Sequence, residues 1–419
     1  MDFYTIIIYI LTFIGLFATS FYVINLFYYK KKERNQNEKQ FKVSIIIPAY
    51  NEEKTIVKTI KSALSIDYLK NLFEIIVVDD GSSDKTYSLA KKFISSFSPK
   101  VRVFTKPNGG KGSALNFGIK RATGEIIISM DADTFVTKDS VSKMMSYFYS
   151  KDVMSVTPSM GVYEPKTLLQ RVQQIEYYVG TFLRKSFATI NAIHVTPGAF
   201  SAYRKEFFDR YEGYDEKNIT EDLEIALRIQ SKGFIIENAP EATIYTRSPR
   251  SFRALLIQRR RWYVGLVRNL WNYRHLFGFK RGPLGYLTLP LAIVSIFSAM
   301  FLTTYNLFKT IDNLNHELNS LATINFQFYN NFELNSFIVQ RFLIDVFSKP
   351  VFVITLLFLV LLAGYLMFAR RKMRFSESLK WSYVVFLAFY AILFTIWWVI
   401  SFIYIIFNKK VLWREHAKE

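Results

Sequence analysis

The chain has 419 residues, 51% of them hydrophobic, with 40 Phe, 26 Tyr, no cysteine and a net charge of +20. It can therefore form neither a disulfide framework nor a thiolate metal site, and its length suits one large domain with accessories, or two domains. The positive balance could suggest nucleic acid. However, Ala242 to Arg281 carries ten Lys or Arg without any acid, directly before an apolar stretch. Cations placed there meet lipid headgroups and fix orientation, so membrane lipids, and no nucleic acid, are the expected partners.

Phe3 to Tyr29 is almost wholly apolar and runs into Lys30, Lys31, Lys32 and Arg34. It is too long for the apolar core of a signal peptide, and no small-residue cleavage site follows. It reads as a transmembrane helix with a cytoplasmic basic flank. Domain boundaries follow: 1–34 for this helix and flank, then a cytoplasmic polar block at 35–240.

The block alternates strands and helices. "VSIII" from Val43 is a buried strand that stops at Pro48, and Ile56, Ile60 and Leu64 then recur at helical spacing. "EIIVVDD" is a second strand, followed by a helix that Asp84 or a preceding serine could cap. "VRVF", "GKGSALNFGIKRA" and "EIIISM" continue as strand, helix and strand. This order predicts an α/β fold with a mostly parallel sheet, whose ligands bind beyond the carboxyl ends of the strands.

"PAYNE", "DDGSSD" and "DADT" follow three of the strands, and "NGGKGSALN" opens a helix, so all four should share one rim. Asp131 and Asp133, at the end of a buried strand, can hold a hard divalent cation, Mg²⁺ or Mn²⁺, through oxygen ligands. That cation would bridge to a diphosphate. "NGGKG" offers close-approach glycines and Lys111, but not the spacing of a nucleotide-triphosphate P-loop.

"PAYNEE", "VVDDGSSDKT", "NGGKGSALN", "MDADT", "ITEDLE" and "QRRRW" resemble, in order and approximate spacing, the processive family-two glycosyltransferases. That family includes cellulose, chitin, hyaluronan and poly-N-acetylglucosamine synthases. The layout of one membrane helix before the catalytic block and about three after it looks most like poly-β-1,6-N-acetylglucosamine synthases. The resemblance implies a Rossmann-like nucleotide-sugar-binding domain of the GT-A type, with interfacial and transmembrane helices.

It also implies roles. Tyr50, Glu52 and Asp80 would contact uracil or ribose, with Asp79 beside them. Lys111 would lie near the base and phosphates, and Asp131 and Asp133 would hold the metal and the sugar diphosphate. Asp79 could instead serve a turn, and Lys111 could be an ordinary exposed lysine. The aspartate of "TED", Asp222, would be the general base that deprotonates the acceptor hydroxyl, with Glu221 beside it in the catalytic pair. The competing reading is that Glu221, Asp222 and Glu224 only complement a helix dipole.

Gln258, Arg261 and Trp262 match the family's Gln-x-x-Arg-Trp pattern. Arg261 could clamp a diphosphate through its forked donors, and Trp262 offers a flat face to an acceptor sugar. Phe252 to Tyr273, within a segment at 241–281, reads as an interfacial amphipathic helix, for which lipid anchoring alone is the alternative. A similar helix is expected from Thr167 to Phe187, with Leu168, Val172, Ile175, Val179 and Phe182 on one face. "HVTPGAFSAYRKE" resembles the loop under the acceptor's end, where Gly198 permits close approach.

The membrane region at 282–419 should hold three more spans, Leu284 to Phe308, Val351 to Ala369 and Trp381 to Phe407. Four spans put the C-terminus outside, against the pull of its own basic residues. The expected activity is inverting transfer from a UDP-sugar, with UDP-N-acetylglucosamine the best donor, to a growing β-linked glycan or lipid-linked acceptor. Accessory membrane proteins fit such a role. The alternatives are a single-transfer enzyme acting on a polyprenyl phosphate, and an inactive scaffold or export channel.

Overall fold

The computed structural model describes residues 3–29, 40–96, 99–323, 336–348, 350–372 and 380–411. The basic flank at 30–34 and the C-terminal tail beyond 411, both used above to reason about orientation, lie outside these residues.

Eight strands form one sheet: β1 (Val43–Ala49), β2 (Phe73–Asp79), β3 (Lys100–Thr105), β4 (Ile126–Met130), β5 (Thr134–Val136), β6 (Val153–Val162), β7 (Phe200–Arg204) and β8 (Ile235–Thr246), in the spatial order β3-β2-β1-β4-β7-β6-β8-β5. The four expected strands pair in parallel, with Val43 aligned on Phe73 on one side and on Ile126 on the other. β1 and β2 are buried at every position, which explains their continuous Ile/Val runs: sheets covered on both faces cannot alternate. The remainder of the sheet is mixed. β7 lies antiparallel to β4 and to β6, β8 runs parallel to β6, and the short β5 closes the edge antiparallel to β8.

From β1 the chain winds one way to β2 and β3, then returns to the other side with β4. The strand order therefore reverses between β1 and β4, and the crevice that binds ligands in such sheets opens there. The helices of this half are α2 (Ile56–Leu64), α3 (Thr86–Lys91) and α4 (Lys111–Ile119). The N-cap position of α3 falls on Lys85, which makes no side-chain cap; Asp84 just before it accepts from the Thr86 N–H at 2.9 Å. At the opposite end of the strands, buried Glu74 accepts from Ser44 Oγ, Thr123 N and Arg102 Nη2 at 2.7–2.8 Å. Burial alone would raise its pKa, but these donors hold it below the usual value, so this carboxylate stitches strands rather than serving chemistry.

After β5 come α5 (Ser140–Met145), α6 (Leu168–Thr189), α7 (Lys205–Tyr211), α8 (Glu221–Ser231) and α9 (Phe252–Asn272). α6 begins with a full capping box between Thr167 and Gln170. Its expected apolar face holds in part: Val172, Ile175 and Phe182 are buried and Val179 packs beside them, but Leu168 is exposed.

Four long helices remain: α1 (Phe3–Tyr28), α10 (Leu289–Thr323), α12 (Pro350–Lys372) and α13 (Lys380–Ile406), with the shorter α11 (Ser336–Ser348) between α10 and α12. Among the described residues, three helical stretches are long and apolar enough to cross a membrane: Ile6–Tyr28, Leu284–Ser320 and Ser382–Ile406. They coincide with three of the four expected spans, and the fourth expectation falls on α12. The second is longer than expected. At 37 residues it measures about 55 Å as a helix, well beyond the roughly 30 Å hydrocarbon layer. α6 and α9 are not bare surface helices. Phe182 stacks on Tyr365 of α12 at 3.8 Å, and Tyr263 of α9 stacks on Trp398 of α13 at 4.3 Å.

Candidate active site

All four polar loops gather at the carboxyl ends of β1, β2 and β4. Asn51 adopts a left-handed conformation, φ 54°, that turns the chain back after β1. Its backbone N–H donates to Ser82 Oγ and its side-chain carbonyl accepts from Ser83 N–H, both at 2.9 Å. The loops after β1 and β2 are thereby stitched together, with Tyr50 partly exposed on the rim and the Glu52 carboxylate accepting from Thr55 Oγ1 at 2.7 Å.

Asp79 and Asp80 are both buried, and they differ in role. Asp79 accepts from Thr105 Oγ1 at 2.9 Å, and its other oxygen is buried with no partner among the described residues. Asp80 is fully engaged: it accepts from Lys106 Nζ at 2.6 Å, Gly109 N at 3.1 Å and Gly110 N at 2.8 Å. It is the anchor of the glycine-rich loop. Gly81 explains the closeness of that loop, because a Cβ there would lie 2.9 Å from the Asn108 nitrogen, at a φ of 73° that L side chains rarely adopt. Lys106 was not singled out from the sequence, although its place directly before "PNGG" was a usable signal.

Lys111 opens α4 and turns away from that loop, into the centre of the site. Its Nζ lies 2.7 Å from Asp131 and 3.0 Å from Glu221. Burial alone would lower its pKa, yet Asp131, Glu221 and Asp222 together raise it well above the ordinary lysine value. An exposed-lysine reading is thus ruled out.

Glu221 and Asp222 begin α8, and their environments push them apart. Burial would raise Glu221, but Lys111 and Arg261 hold it below the ordinary carboxylate range. Asp222 is pushed up to about 6 by burial and by Glu221, against the pull of Lys111 and Arg261. Its Oδ2 accepts from Gly198 N–H at 3.0 Å. Gly198 fits there because it lacks a side chain: a Cβ would lie 2.7 Å from Lys111 Nζ and 3.0 Å from Asp222 Oδ2.

α9 is clamped onto the start of α8. Asn269 donates to Thr220 Oγ1 at 2.9 Å and exchanges hydrogen bonds with Asn218, while a Cβ on Gly265 would sit 2.3 Å from Thr220 Oγ1. This contact brings Arg261 to the site, with Nη1 3.4 Å from Ile219 O. Its neighbours in "QRRRW" do something else. Arg259 pairs with Glu176 of α6, and Arg260 donates to the Tyr404 hydroxyl of α13 at 2.7 Å. Trp262 lies under Arg259, whose guanidinium carbon is 4.2 Å from its ring centre, and Gln258 Oε1 is buried with no partner among the described residues. Gly265 and Asn269 follow one and two helical turns after the motif. That spacing signals a shared face, but not which helix it meets.

Asp131 and Asp133 stand at the end of β4, the latter with Thr246 Oγ1 3.5 Å away. Among the described residues no group of three or more His, Asp or Glu forms a cage for a metal ion. The donor set still fits Mg²⁺ or Mn²⁺. Such ions are commonly held by one or two carboxylates, with phosphate and water completing the shell. Thus Lys111, Asp131, Glu221, Asp222 and Arg261 meet in one cluster, and Tyr50, Glu52, Asp79 and Asp80 form a second along the same rim.

A sheet of this order, with an Asp-x-Asp at the strand reversal, has the GT-A fold. Residues 44–212 match the family model Glycosyl transferase family 2. Among its relatives, "Probable glycosyltransferase YdaM" of Bacillus subtilis is 33% identical over 261 residues, 57% of this chain and 60% of the relative. "Poly-beta-1,6-N-acetyl-D-glucosamine synthase" of Staphylococcus epidermidis is 29% identical over 279 residues, 62% of this chain and 67% of that one. The enzyme of the same name in Staphylococcus aureus strain COL is 30% identical over 239 residues, 56% of this chain and 57% of that one. The matched region therefore spans roughly three fifths of the length of these relatives. Among solved structures, a mannosyltransferase from Pyrobaculum calidifontis in complex with GDP-Man and Mn²⁺ superposes with a TM-score of 0.54 at 19% identity, over 88% of this chain and all of that one. That likeness concerns the fold.

Proposed function

We propose that the protein is a membrane-embedded, inverting glycosyltransferase that moves a sugar from a UDP-sugar onto a growing β-linked glycan, with its catalytic block in the cytoplasm. UDP-N-acetylglucosamine is the donor we favour, in line with the poly-N-acetylglucosamine synthases among its relatives. The observation that carries the chemistry is the split between Glu221 and Asp222. One carboxylate is held ionised against Lys111, and the other is raised towards neutrality and fixed by Gly198 N–H.

In this reading Asp222 accepts the proton from the acceptor hydroxyl as that oxygen bonds to the anomeric carbon, while the bond from that carbon to the diphosphate breaks and UDP leaves. A pKa near the working pH lets a carboxylate serve as a competent base. Lys111 and Arg261 supply positive charge where the leaving diphosphate gains negative charge. Tyr50, Glu52 and Asp79 face the nucleoside, and Asp80 acts through the glycine-rich loop it anchors. Asp131 and Asp133 would hold Mg²⁺ or Mn²⁺, which when bound neutralises the diphosphate. Trp262 offers its ring to the acceptor sugar.

The deciding experiment offers purified protein a panel of labelled UDP-sugars with Mg²⁺ or Mn²⁺ and sizes the products. Polymer from a single donor supports the reading. Only a monosaccharide-lipid product would replace it with single transfer, and no turnover with any donor would leave the scaffold alternative.

A further inference from the structure

A threonine at the N-cap of a helix ordinarily accepts a hydrogen bond from an N–H of its own first turn. Thr220 holds that position in α8, and its carbonyl starts the helix by accepting from Leu223 and Glu224 N–H at 3.2 and 3.1 Å. Its hydroxyl, however, makes no such cap among the described residues. It accepts instead from Asn269 Nδ2 of α9, at 2.9 Å. The residue suited to close α8 on itself is thus tied to a different helix.

Asn269, only 1% exposed, commits its whole amide to this turn. Besides Thr220, its Nδ2 donates to Asn218 Oδ1 at 3.1 Å, and its Oδ1 accepts from Asn218 Nδ2 at 2.8 Å. Asn218 Oδ1 in turn accepts from Thr220 N–H at 3.1 Å. One turn before Asn269, a Cβ on Gly265 would lie 2.3 and 2.4 Å from Thr220 Oγ1 and Cγ2, so only glycine lets the helices meet this closely. One turn after it, Tyr273 donates to Glu224 Oε1 at 2.5 Å. Four-residue spacing puts all three on one face of α9, forming a seam against the start of α8.

The seam lies two residues from Asp222. That carboxylate is placed by its own first turn, with Oδ1 accepting from Leu223 N–H at 2.9 Å and Oδ2 from Gly198 N–H at 3.0 Å. Each helical residue turns about 100° from the last, so a small rotation of this turn would swing the carboxylate away from Gly198. We propose that Asn269 is a positioning residue for sugar transfer, fixing Asp222 by holding the threonine that would otherwise cap α8. The inference rests on the reading of Asp222 as the base. Since α9 is itself fixed to α13 by the Tyr263–Trp398 stack and the Arg260–Tyr404 bond, the base takes its place from outside its own helix.

The test uses the full-length protein in nanodiscs. Asn269→Ala and Thr220→Val should each lower kcat about 10- to 100-fold, while donor KM and UDP affinity stay within about twofold. Thr220→Ser keeps the hydroxyl and should keep most of the rate. The double variant should fall no further than the weaker single one, because both substitutions cut the same bond. A second readout needs no turnover. The chain has no cysteine, so spin labels on Lys91→Cys and Lys217→Cys, both exposed positions, report where the lead into α8 stands against α3. Their distance distribution should shift or broaden in Asn269→Ala. If that variant does not fold, Thr220→Val makes the same cut more gently. Wild-type kcat or an unchanged label distance overturns the proposal. So does a donor KM that rises in step with the loss of kcat, additive effects in the double variant, or a Thr220→Ser rate as low as that of Thr220→Val. If the wild type turns over no donor while the label distance still depends on Asn269, the transferase reading fails and the clamp stands.

Discussion

Arg259 grips Glu176 through two hydrogen bonds, 2.7 Å from Nη1 and 2.9 Å from Nη2, and the same guanidinium lies over the ring of Trp262. The pair joins α9 to α6 and fixes the tryptophan that the motif was expected to present to the acceptor. Burial raises Glu176 above the ordinary carboxylate value despite Arg259, so the pair is held by geometry against a desolvation penalty. Glu176→Gln should destabilise the protein by about 3 kcal/mol or more, because it strands a buried guanidinium. It should also shorten the polymer at donor concentrations that saturate the wild type. Thermal unfolding with product sizing checks both, and unchanged chain length would limit the pair to stability.

Trp262→Ala should reduce chain elongation more than hydrolysis of the UDP-sugar, since it removes an acceptor platform and leaves the donor rim intact. Measuring released UDP against polymer length separates the two. An equal fall in both would rule out stacking.

Asp222 predicts a pH profile. As a base it works deprotonated, so the rate should rise with pH through about 6 and level off above it, provided the donor is saturating. Asp222→Asn should lower turnover by a factor on the order of 10² to 10⁴. Its effect on stability runs the other way. A carboxyl whose folded pKa is raised contributes stability at low pH that is lost as pH rises through the folded value. The amide should therefore raise the melting temperature at pH 7.5, and the gain should shrink towards pH 4. A melting difference that does not vary with pH would contradict the assignment.

Gly198→Ala places a methyl 2.7 Å from Lys111 Nζ and 3.0 Å from Asp222 Oδ2. Lysine can shift, but only by loosening its pairs with Asp131 and Glu221. Turnover should fall on the order of 100-fold while UDP still binds, because misplacement of about 1 Å is enough for such a loss. A wild-type rate in this variant would show that the cluster tolerates rearrangement.

Chelation, or Asp133→Ala, should abolish turnover by leaving the diphosphate without its counter-charge. Added Mn²⁺ should restore the chelated wild type but not the variant. Full activity in chelator would remove the metal from the mechanism.

Much of this protein follows from local pattern. The Ile/Val runs of β1, β2 and β4 mark buried strands, the long apolar stretches mark helices able to cross a membrane, and "DADT" and "TEDLE" mark carboxylates at a strand end and a helix start. These features depend on neighbours within a few residues, so spacing alone reveals them. The second half of the sheet was not legible. β6, β7 and β8 pair across long sequence separations in mixed directions, and no local period records which strand lies beside which. The same reason hid the division of labour along the rim. Asp79 and Asp80 are adjacent in sequence, but only the approach of "KPNGG" makes Asp80 an anchor. Lys111 is expected near the base and phosphates, but its pairing with Glu221 shows only once α8 arrives. The raised pKa of Asp222 likewise belongs to no motif, because it arises from burial and from charges that only folding brings within reach.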